Sequence, residues 1–170
     1  MKQVEIEKAL RFRHPEIVVN VVTKSADGKI DVTPIGWAML GSSKPKTWAI
    51  GVGKDHFSHK AILDTEEFTV CLPHFKQKKD TLFCGTHTAW KIDKLPKTNF
   101  KTLPATKVST PLLDESLACF ECKLIDSMET PDSTIFLGEI AAAHLSGESE
   151  GLINLGHTNL TKIHRGPQSN

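Results

Sequence analysis

The chain has 170 residues, of which 39% are hydrophobic, so it is long enough to bury one continuous core without disulfide or metal crosslinks. Its 21 Lys and Arg residues against 20 Asp and Glu residues give a formal net charge of +1, which argues against a chain that holds nucleic acid or an anionic membrane by its overall field. Residues 1–13 mix charged and apolar side chains unlike a signal peptide, and no later run could span a bilayer, so we expect one cytoplasmic domain over residues 1–170 with thiol cysteines.

Two β-branched, apolar runs separated by a turn predict an N-terminal hairpin. The runs are Ile17–Lys24 and Ile30–Trp37, and Ala26–Lys29 supplies the turn chemistry between them. Pro34 cannot donate a backbone hydrogen bond and Gly36 has no side chain to pack. We therefore expect the second strand to be bulged, or to run along a sheet edge near its end.

The rest of the chain alternates further strand patterns with two short helices. In chain order we expect a strand at Thr47–Val52, a helix at Ser58–Leu63, a strand at Glu67–Leu72, a helix at Lys76–Phe83, and strands at Ala118–Asp126 and Ser133–Ala143. The second helix is expected to end at Gly85 in a left-handed cap. Residues 94–111 carry three prolines and predict a long ordered surface excursion, and the tail Gly166–Asn170 is expected to be disordered. The pattern predicts a mainly β fold, an antiparallel β-barrel with short helical insertions.

A strand-to-helix turn gives the best local signal for a binding site. Gly51–His59 joins a strand to a helix start, where free N–H groups and the helix dipole favour an anion, with Lys54 and Ser58 at hand. The alternative is that Ser58 only caps the helix and Lys54 is solvated. The turn has the glycine spacing of neither a Walker loop nor a dinucleotide fingerprint.

Cysteine and histidine patterns suggest metal or dithiol chemistry only weakly. Cys119 and Cys122 form a CxxC, but their segment reads as a strand, where positions three apart point to opposite faces. Cys71 and Cys84 offer no matching second ligand pair, and the histidines lack a carboxylate-supported set at ligand spacing. We therefore expect no metal site.

Taken in order, these segments resemble the flavin reductase-like (flavoredoxin) family of FMN-binding split barrels. The matching stretches are Asp27–Trp37, Ile50–Lys54, Ser58–His59, Glu67–Pro73, Phe83–His87, Asp93–Lys94, Leu117–Cys122 and Thr134–Ile140. They cover roughly residues 14–160, which the resemblance makes the core of the domain. The resemblance implies a Greek-key antiparallel split barrel that forms a homodimer, with one FMN per subunit near the interface.

The resemblance also implies a set of cofactor-binding residues. It places the FMN phosphate at the turn that holds Lys54 and Ser58, and it places Lys94 at the pyrimidine edge of the flavin, where a cation stabilises the anion formed at N1 on reduction. The other residues expected at the cofactor are Thr33, Pro34, Ile35, Gly36, Trp37, Phe57, His59, Cys84, Gly85 and Thr86.

Two departures from the family pattern surround the reacting edge. Asp31 stands where relatives often have Asn, and this second charge opposes flavin reduction unless it is protonated or paired with Lys94. Ser133 stands where relatives often carry a histidine that could contact substrate or nicotinamide. The chain also has no Tyr, and Phe57 is the expected substitute in the pocket wall. Lys94 and Asp31 are therefore the expected catalytic residues.

The expected activity is that of an oxidoreductase in which NADH or NADPH gives hydride to FMN, which then serves an acceptor or a redox protein. Two alternatives stay open. The chain could be an electron carrier reduced by a protein donor, or a binding module that does not catalyse a reaction.

Overall fold

The computed structural model describes residues 1–156 and 158–164. The strands in these residues are β1 (Glu16–Ile17), β2 (Val19–Lys24), β3 (Ile30–Ile35), β4 (Ala38–Ser43), β5 (Lys46–Gly53), β6 (Glu67–Leu72), β7 (Thr102–Leu103), β8 (Leu112–Leu113), β9 (Ala118–Glu129), β10 (Ser133–Leu145), β11 (Glu150–Asn154) and β12 (Leu160–His164). The α-helices are α1 (Ile6–Leu10), α2 (Phe57–Thr65) and α3 (Lys78–Thr86), and 3-10 turns lie at Arg11–Arg13, Phe75–Gln77 and Leu95–Lys97. No helix in this part of the chain is long and apolar enough to cross a membrane. The tail Gly166–Asn170, expected to be disordered, lies outside the described residues.

Seven strands form one antiparallel sheet in the order β3-β2-β6-β9-β10-β5-β4. Its two edges, β3 and β4, follow each other in the chain and are joined only by Gly36 and Trp37, so the sheet curls until its edges approach. The N–H of Gly51 on β5 donates to the carbonyl of Trp37 at 2.8 Å, which extends the pairing of β4 with β5 into the connection between β3 and β4. The predicted mainly β, antiparallel barrel with helical insertions is confirmed.

The barrel interior is filled by apolar side chains from alternate strand positions. Val19, Val21, Ile50, Phe68 and Phe136 are fully buried there. Each such side chain contributes about 1.5–3 kcal/mol of hydrophobic stabilisation. The Phe68 ring crosses the interior to Gly138, where a Cβ would collide with it. A side chain at position 138 would therefore force the barrel apart.

A second apolar layer covers the outside of the sheet beneath α3 and the excursion. Val22, Val32 and Cys71 point outward from their strands and pack with Leu112 and Leu113, which form β8. Both faces of the central strands are therefore buried, as the continuous apolar pattern of the first strand indicates.

The CxxC cysteines lie on opposite faces of β9, as the strand pattern predicts. Cys119 belongs to the outer layer and Cys122 to the barrel interior. The two sulfurs therefore have the sheet between them and cannot share a ligand.

The excursion is ordered, as expected, and one buried carboxylate holds it. Glu121 of β9 is fully buried and accepts hydrogen bonds from the backbone N–H groups of Thr106 (2.9 Å), Lys107 (2.5 Å) and Val108 (3.1 Å). His144 lies 2.7 Å from the same carboxylate. Burial alone would raise the pKa of Glu121, but these hydrogen bonds lower it to about 2, so the group is a carboxylate.

The expected end of the second helix is wrong. Helix α3 continues through Gly85 to Thr86 and is followed by His87 in an extended conformation, so Gly85 is not a left-handed cap. The Thr86 hydroxyl shares its one proton between the carbonyls of Leu82 and Phe83, both at 3.1 Å. Because side chains satisfy the last carbonyls, the helix does not need a glycine cap.

Candidate functional site

A cavity of about 450 Å³ lies between β3, the start of α2, the end of α3 and the segment that follows α3. Its walls are formed by Asp31, Thr33, Pro34, Asp55, His56, Phe57, Cys84, Gly85, Thr86, His87, Thr88, Ala89, Trp90, Lys91 and Lys94. Seven of these residues were expected at the cofactor from the sequence and Asp31 was expected as catalytic, and the structure brings the hairpin and the end of α3 together at this cavity. The volume lies within the range of small-molecule sites, about 300–1,000 Å³.

A buried ion pair forms one wall of the cavity. The ammonium of Lys94 lies 2.8 Å from the carboxylate of Asp31, and the two side chains are 3% and 2% exposed. The same ammonium donates to the carbonyl of Val32 at 3.0 Å and to that of Cys84 at 3.1 Å. Lys94 therefore makes two hydrogen bonds and one ion pair within this chain, and these contacts tie β3 to the end of α3. The Asp31 oxygen nearest to Lys94 accepts no hydrogen bond, so its contact with Lys94 is electrostatic.

A chain of hydroxyl groups continues from this pair to α2. The Thr33 hydroxyl donates to Asp31 at 3.0 Å and lies 2.9 Å from the hydroxyl of Ser58, which is fully buried. Because the Thr33 proton is committed to the carboxylate, Ser58 donates to Thr33. The interpretation of Ser58 as a cap is wrong: α2 begins at Phe57, and its N-cap His56 makes no side-chain cap hydrogen bond.

The turn before α2 forms the open end of the cavity. Asp55, His56 and Phe57 face the cavity there, so the first turn of the helix begins at its wall. Lys54 does not line the cavity, and its ammonium lies 3.0 Å from the exposed carboxylate of Glu129. Two features expected of an anion site, a helix start and a nearby cation, are thus present. The carboxylate of Asp55 at the same turn would repel an anion.

Two aromatic side chains form another part of the cavity wall. The rings of Phe57 and Trp90 pack edge to face with centroids 5.0 Å apart. The indole N–H of Trp90 donates to the carbonyl of Asp55 at 2.9 Å, and the ammonium of Lys29 lies 5.1 Å from the centre of the Phe57 ring. Phe57 was expected in this wall. Trp90 was not, because it follows a turn of polar residues that shows no periodicity.

Cys84 contributes its carbonyl rather than a reactive sulfur. The thiol is buried, and burial raises its pKa to about 12. It therefore stays protonated at neutral pH and is a poor nucleophile.

Four other expected residues lie beside the cavity rather than in its walls. Ile35 packs into the barrel interior, Gly36 faces a neighbouring groove, and Trp37 lies over Gly51 with 59% of its surface exposed. The imidazole of His59 lies 2.9 Å from the Thr134 hydroxyl, and burial, followed by the charge of Lys54, lowers its pKa.

Comparisons with known proteins place this fold in context. The family model described as "Flavin reductase like domain" matches residues 11–161. The flavoredoxin of Desulfovibrio vulgaris (Miyazaki F) superposes with a TM-score of 0.86 at 19% identity, covering 99% of this chain and 97% of that one. The FMN-binding protein of Thermus thermophilus gives 0.84 at 16% identity, covering 100% and 98%. The NADH:FAD oxidoreductase of Streptomyces globisporus gives 0.78 at 20% identity, covering 100% and 95%.

Proposed function

The chain belongs to the flavin reductase-like family, and we propose that it binds FMN in the cavity between β3, α2 and α3 and passes reducing equivalents from NADH or NADPH to an acceptor. The observation that carries this proposal is the make-up of the cavity. Its apolar walls, formed by Pro34, Phe57 and Trp90, suit a flat aromatic ring, and a helix start at one end suits an anion.

The phosphate is proposed to bind at the start of α2. The exposed ion pair between Lys54 and Glu129 stabilises little, so Lys54 can turn to a phosphate at small cost. The hydroxyl of Ser58 is already committed to Thr33, so Ser58 is proposed to contribute its backbone N–H and to fix the turn. The hydrogen bond between the His59 imidazole and the Thr134 hydroxyl is proposed to hold the same turn against β10.

The ring is proposed to lie between β3 and the end of α3, with Thr33 and Pro34 on one side and Cys84, Gly85 and Thr86 on another. Lys94 and Asp31 form an ion pair at this wall, 2.8 Å apart, so the two side chains together add little net charge beside the ring. Bound FMN supplies the hydride-accepting chemistry, and no side chain has to act as an acid or base. The protein contributes orientation and the local field.

A homodimer is part of the proposal. Three large apolar side chains are exposed at one edge of the sheet. Trp37, in the connection between β3 and β4, is 59% exposed, and Met39 and Leu40 on the edge strand β4 are 64% and 66% exposed. Large apolar side chains clustered on an edge strand are typical of an interface. A second subunit on this edge would cover Trp37.

The test of the activity is an absorbance spectrum of the purified protein after addition of FMN, followed by anaerobic addition of NADH or NADPH. The proposal expects bound flavin whose visible band bleaches with at least one of the two donors. Bound flavin that neither nicotinamide bleaches would reject the activity and leave the binding site intact. A protein that takes up no FMN would reject both.

The phosphate placement is tested separately by Lys54→Glu. We expect the affinity for FMN to fall by about tenfold or more, because a phosphate partner becomes a repelling charge. Lys60→Glu is the matched control, since Lys60 is an exposed lysine of α2 that does not line the cavity. Equal affinities for the two variants in a fluorescence titration would place the phosphate elsewhere.

A second candidate function is an electron carrier whose FMN is reduced by a protein donor. Ser133 favours it, because this residue is nearly buried and its hydroxyl donates to Asp132 at 3.0 Å, so it offers no imidazole for a nicotinamide. Reduction by a ferredoxin-like protein, with no reduction by NADH or NADPH, would select this candidate.

A further inference from the structure

Two cysteines that no sequence motif pairs with each other face one another across neighbouring strands. Cys71 of β6 and Cys119 of β9 are directly opposite in the antiparallel register, and their sulfurs lie 2.8 Å apart. Both are buried in the outer layer beneath α3 and β8, where Cys71 is fully covered and Cys119 is 4% exposed. Because a disulfide bond is about 2.05 Å long, the sulfurs need to approach by under about 1 Å.

The other two cysteines have no such partner. Cys122 points into the barrel interior, and its sulfur contacts the carbonyl of Phe120 at 3.6 Å. Cys84 lies in the outer layer, but its sulfur is in hydrogen-bond contact with none of the other three. Burial raises the pKa of both thiols to about 12.

We propose that Cys71 and Cys119 form a cross-strand disulfide when the protein meets a peroxide, while Cys84 and Cys122 stay thiols. The site links β6 to β9 on the outer face of the sheet. It does not depend on the proposed flavin chemistry, since the two strands hold the cysteines in register without a cofactor.

Cys119 is the attacking residue, because it is 4% exposed whereas Cys71 is fully covered, so a peroxide from solvent reaches Cys119 first. Contact with Cys71 lowers the pKa of the Cys119 thiol despite its burial, whereas burial raises the pKa of Cys71. The Cys119 sulfur attacks one oxygen of hydrogen peroxide, the O–O bond breaks, and the departing oxygen leaves as water with the thiol proton. The Cys71 sulfur then displaces the remaining hydroxyl, which leaves as water with the Cys71 proton. Two thiols lose two electrons and two protons, and one peroxide becomes two waters.

The bond would stiffen the layer beneath the candidate site. Val32 and Cys84 belong to the same apolar cluster as the cysteine pair, and their carbonyls hold Lys94. The two cysteines are 48 residues apart in the chain. A disulfide that closes a loop of this length is expected to raise the thermal midpoint of unfolding by roughly 5–10 °C.

The experiment is to treat the full chain with hydrogen peroxide, denature it, alkylate the free thiols and map the peptides by mass spectrometry. We expect four alkylated cysteines before treatment and two after it, with one crosslinked peptide pair that contains Cys71 and Cys119 and disappears with dithiothreitol. Four free thiols after treatment, or a crosslink that contains Cys84 or Cys122, would overturn the proposal.

Two variants sharpen the result. Cys122→Ser should still lose two thiols to a single crosslink, because Cys122 faces the other side of the sheet. Cys71→Ser should form no intramolecular disulfide and should show no rise in thermal midpoint after peroxide. A crosslink that persists in Cys71→Ser would contradict the assignment, and the wild-type map decides the question if this variant does not fold.

Discussion

Two buried carboxylates hold two different segments of this chain. Asp31 on β3 pairs with Lys94, which is 3% exposed, and the pair forms a wall of the cavity. Glu121 on β9 accepts three backbone N–H groups of the excursion and pairs with His144, which is 34% exposed, on the outside of the barrel. Both carboxylates fix the path of the chain, but they depend on different partners.

We propose that the difference separates a structural anchor, Glu121, from a carboxylate beside the ligand, Asp31. Glu121 receives its hydrogen bonds from fixed backbone groups, so its charge is neutralised by the fold itself. Asp31 depends on two side chains, Lys94 and the hydroxyl of Thr33, and all three residues line the cavity. Replacing the cavity pair should therefore change both stability and ligand chemistry, whereas replacing Glu121 should change stability alone.

The largest effect is expected for Lys94→Met. This change leaves the carboxylate of Asp31 buried without its cation and removes the hydrogen bonds to Val32 and Cys84. We expect the free energy of unfolding to fall by about 3–5 kcal/mol in urea denaturation. The exposed Lys97→Met is the control and should change it by no more than about 0.5 kcal/mol. Equal values for the two variants would show that the pair does not hold β3 to α3.

Glu121→Gln should have a smaller effect. The amide keeps the shape of the side chain but loses the charge that its backbone donors and His144 require, so we expect a loss of about 2–3 kcal/mol. Limited proteolysis should cut the variant near residues 104–110 sooner than the wild type. Glu139→Gln, an exposed change on β10, is the matched control. FMN affinity should not change, and a change there would contradict the separation of the two regions.

Acid titration tests the same anchor. The pKa of Glu121 is lowered from 4.5 to about 2 in the fold, so its carboxylate stabilises the protein above pH 4.5 and this contribution is lost as the pH falls toward 2. The difference in unfolding free energy between the wild type and Glu121→Gln should therefore shrink through that window. A difference that stays constant from pH 5 to pH 2 would contradict the assignment.

Asp31→Asn should lower stability through the same broken pair, and its effect on the flavin potential is the smallest effect expected here. The amide removes a negative charge beside the proposed ring and leaves Lys94 as an uncompensated cation, which favours the reduced flavin. We expect the flavin midpoint potential to rise by on the order of tens of millivolts in potentiometry. Glu121→Gln should leave the potential unchanged. An equal or lower potential in Asp31→Asn would place Asp31 away from the ring.

Sequence patterns predicted the parts of the fold in which local and tertiary preferences agree. The strand Glu67–Leu72 was predicted with its observed bounds, because it is apolar and buried on both faces. The edge strand β4 was missed because Met39 and Leu40 are both exposed and give no alternation. The hairpin β11–β12 was missed because its strands are short and largely polar.

For the candidate site, one contact between charged side chains was anticipated from the sequence, but contacts that depend on packing between elements were not. Pairing of Asp31 with Lys94 was anticipated as one of two ways to offset the second charge, and the structure contains it. The commitment of the Ser58 hydroxyl to Thr33 was not predictable, since it depends on how α2 packs on β3. The position of Cys71 directly across from Cys119 was not predictable either. It depends on the register between β6 and β9, which no spacing in the sequence reveals.

The most direct test of the central claim, that the cavity between β3, α2 and α3 holds FMN, is a fluorescence titration of FMN into two variants of Gly85. A Cβ at this exposed cavity-wall position would meet Pro34 at an ordinary 3.5 Å, so Gly85→Ala should fit, whereas Gly85→Phe should fill the cavity. The account predicts wild-type affinity for Gly85→Ala and at least about a tenfold loss for Gly85→Phe, with both variants folded by circular dichroism. Equal affinity in the two variants, or no binding by the wild type, would contradict it.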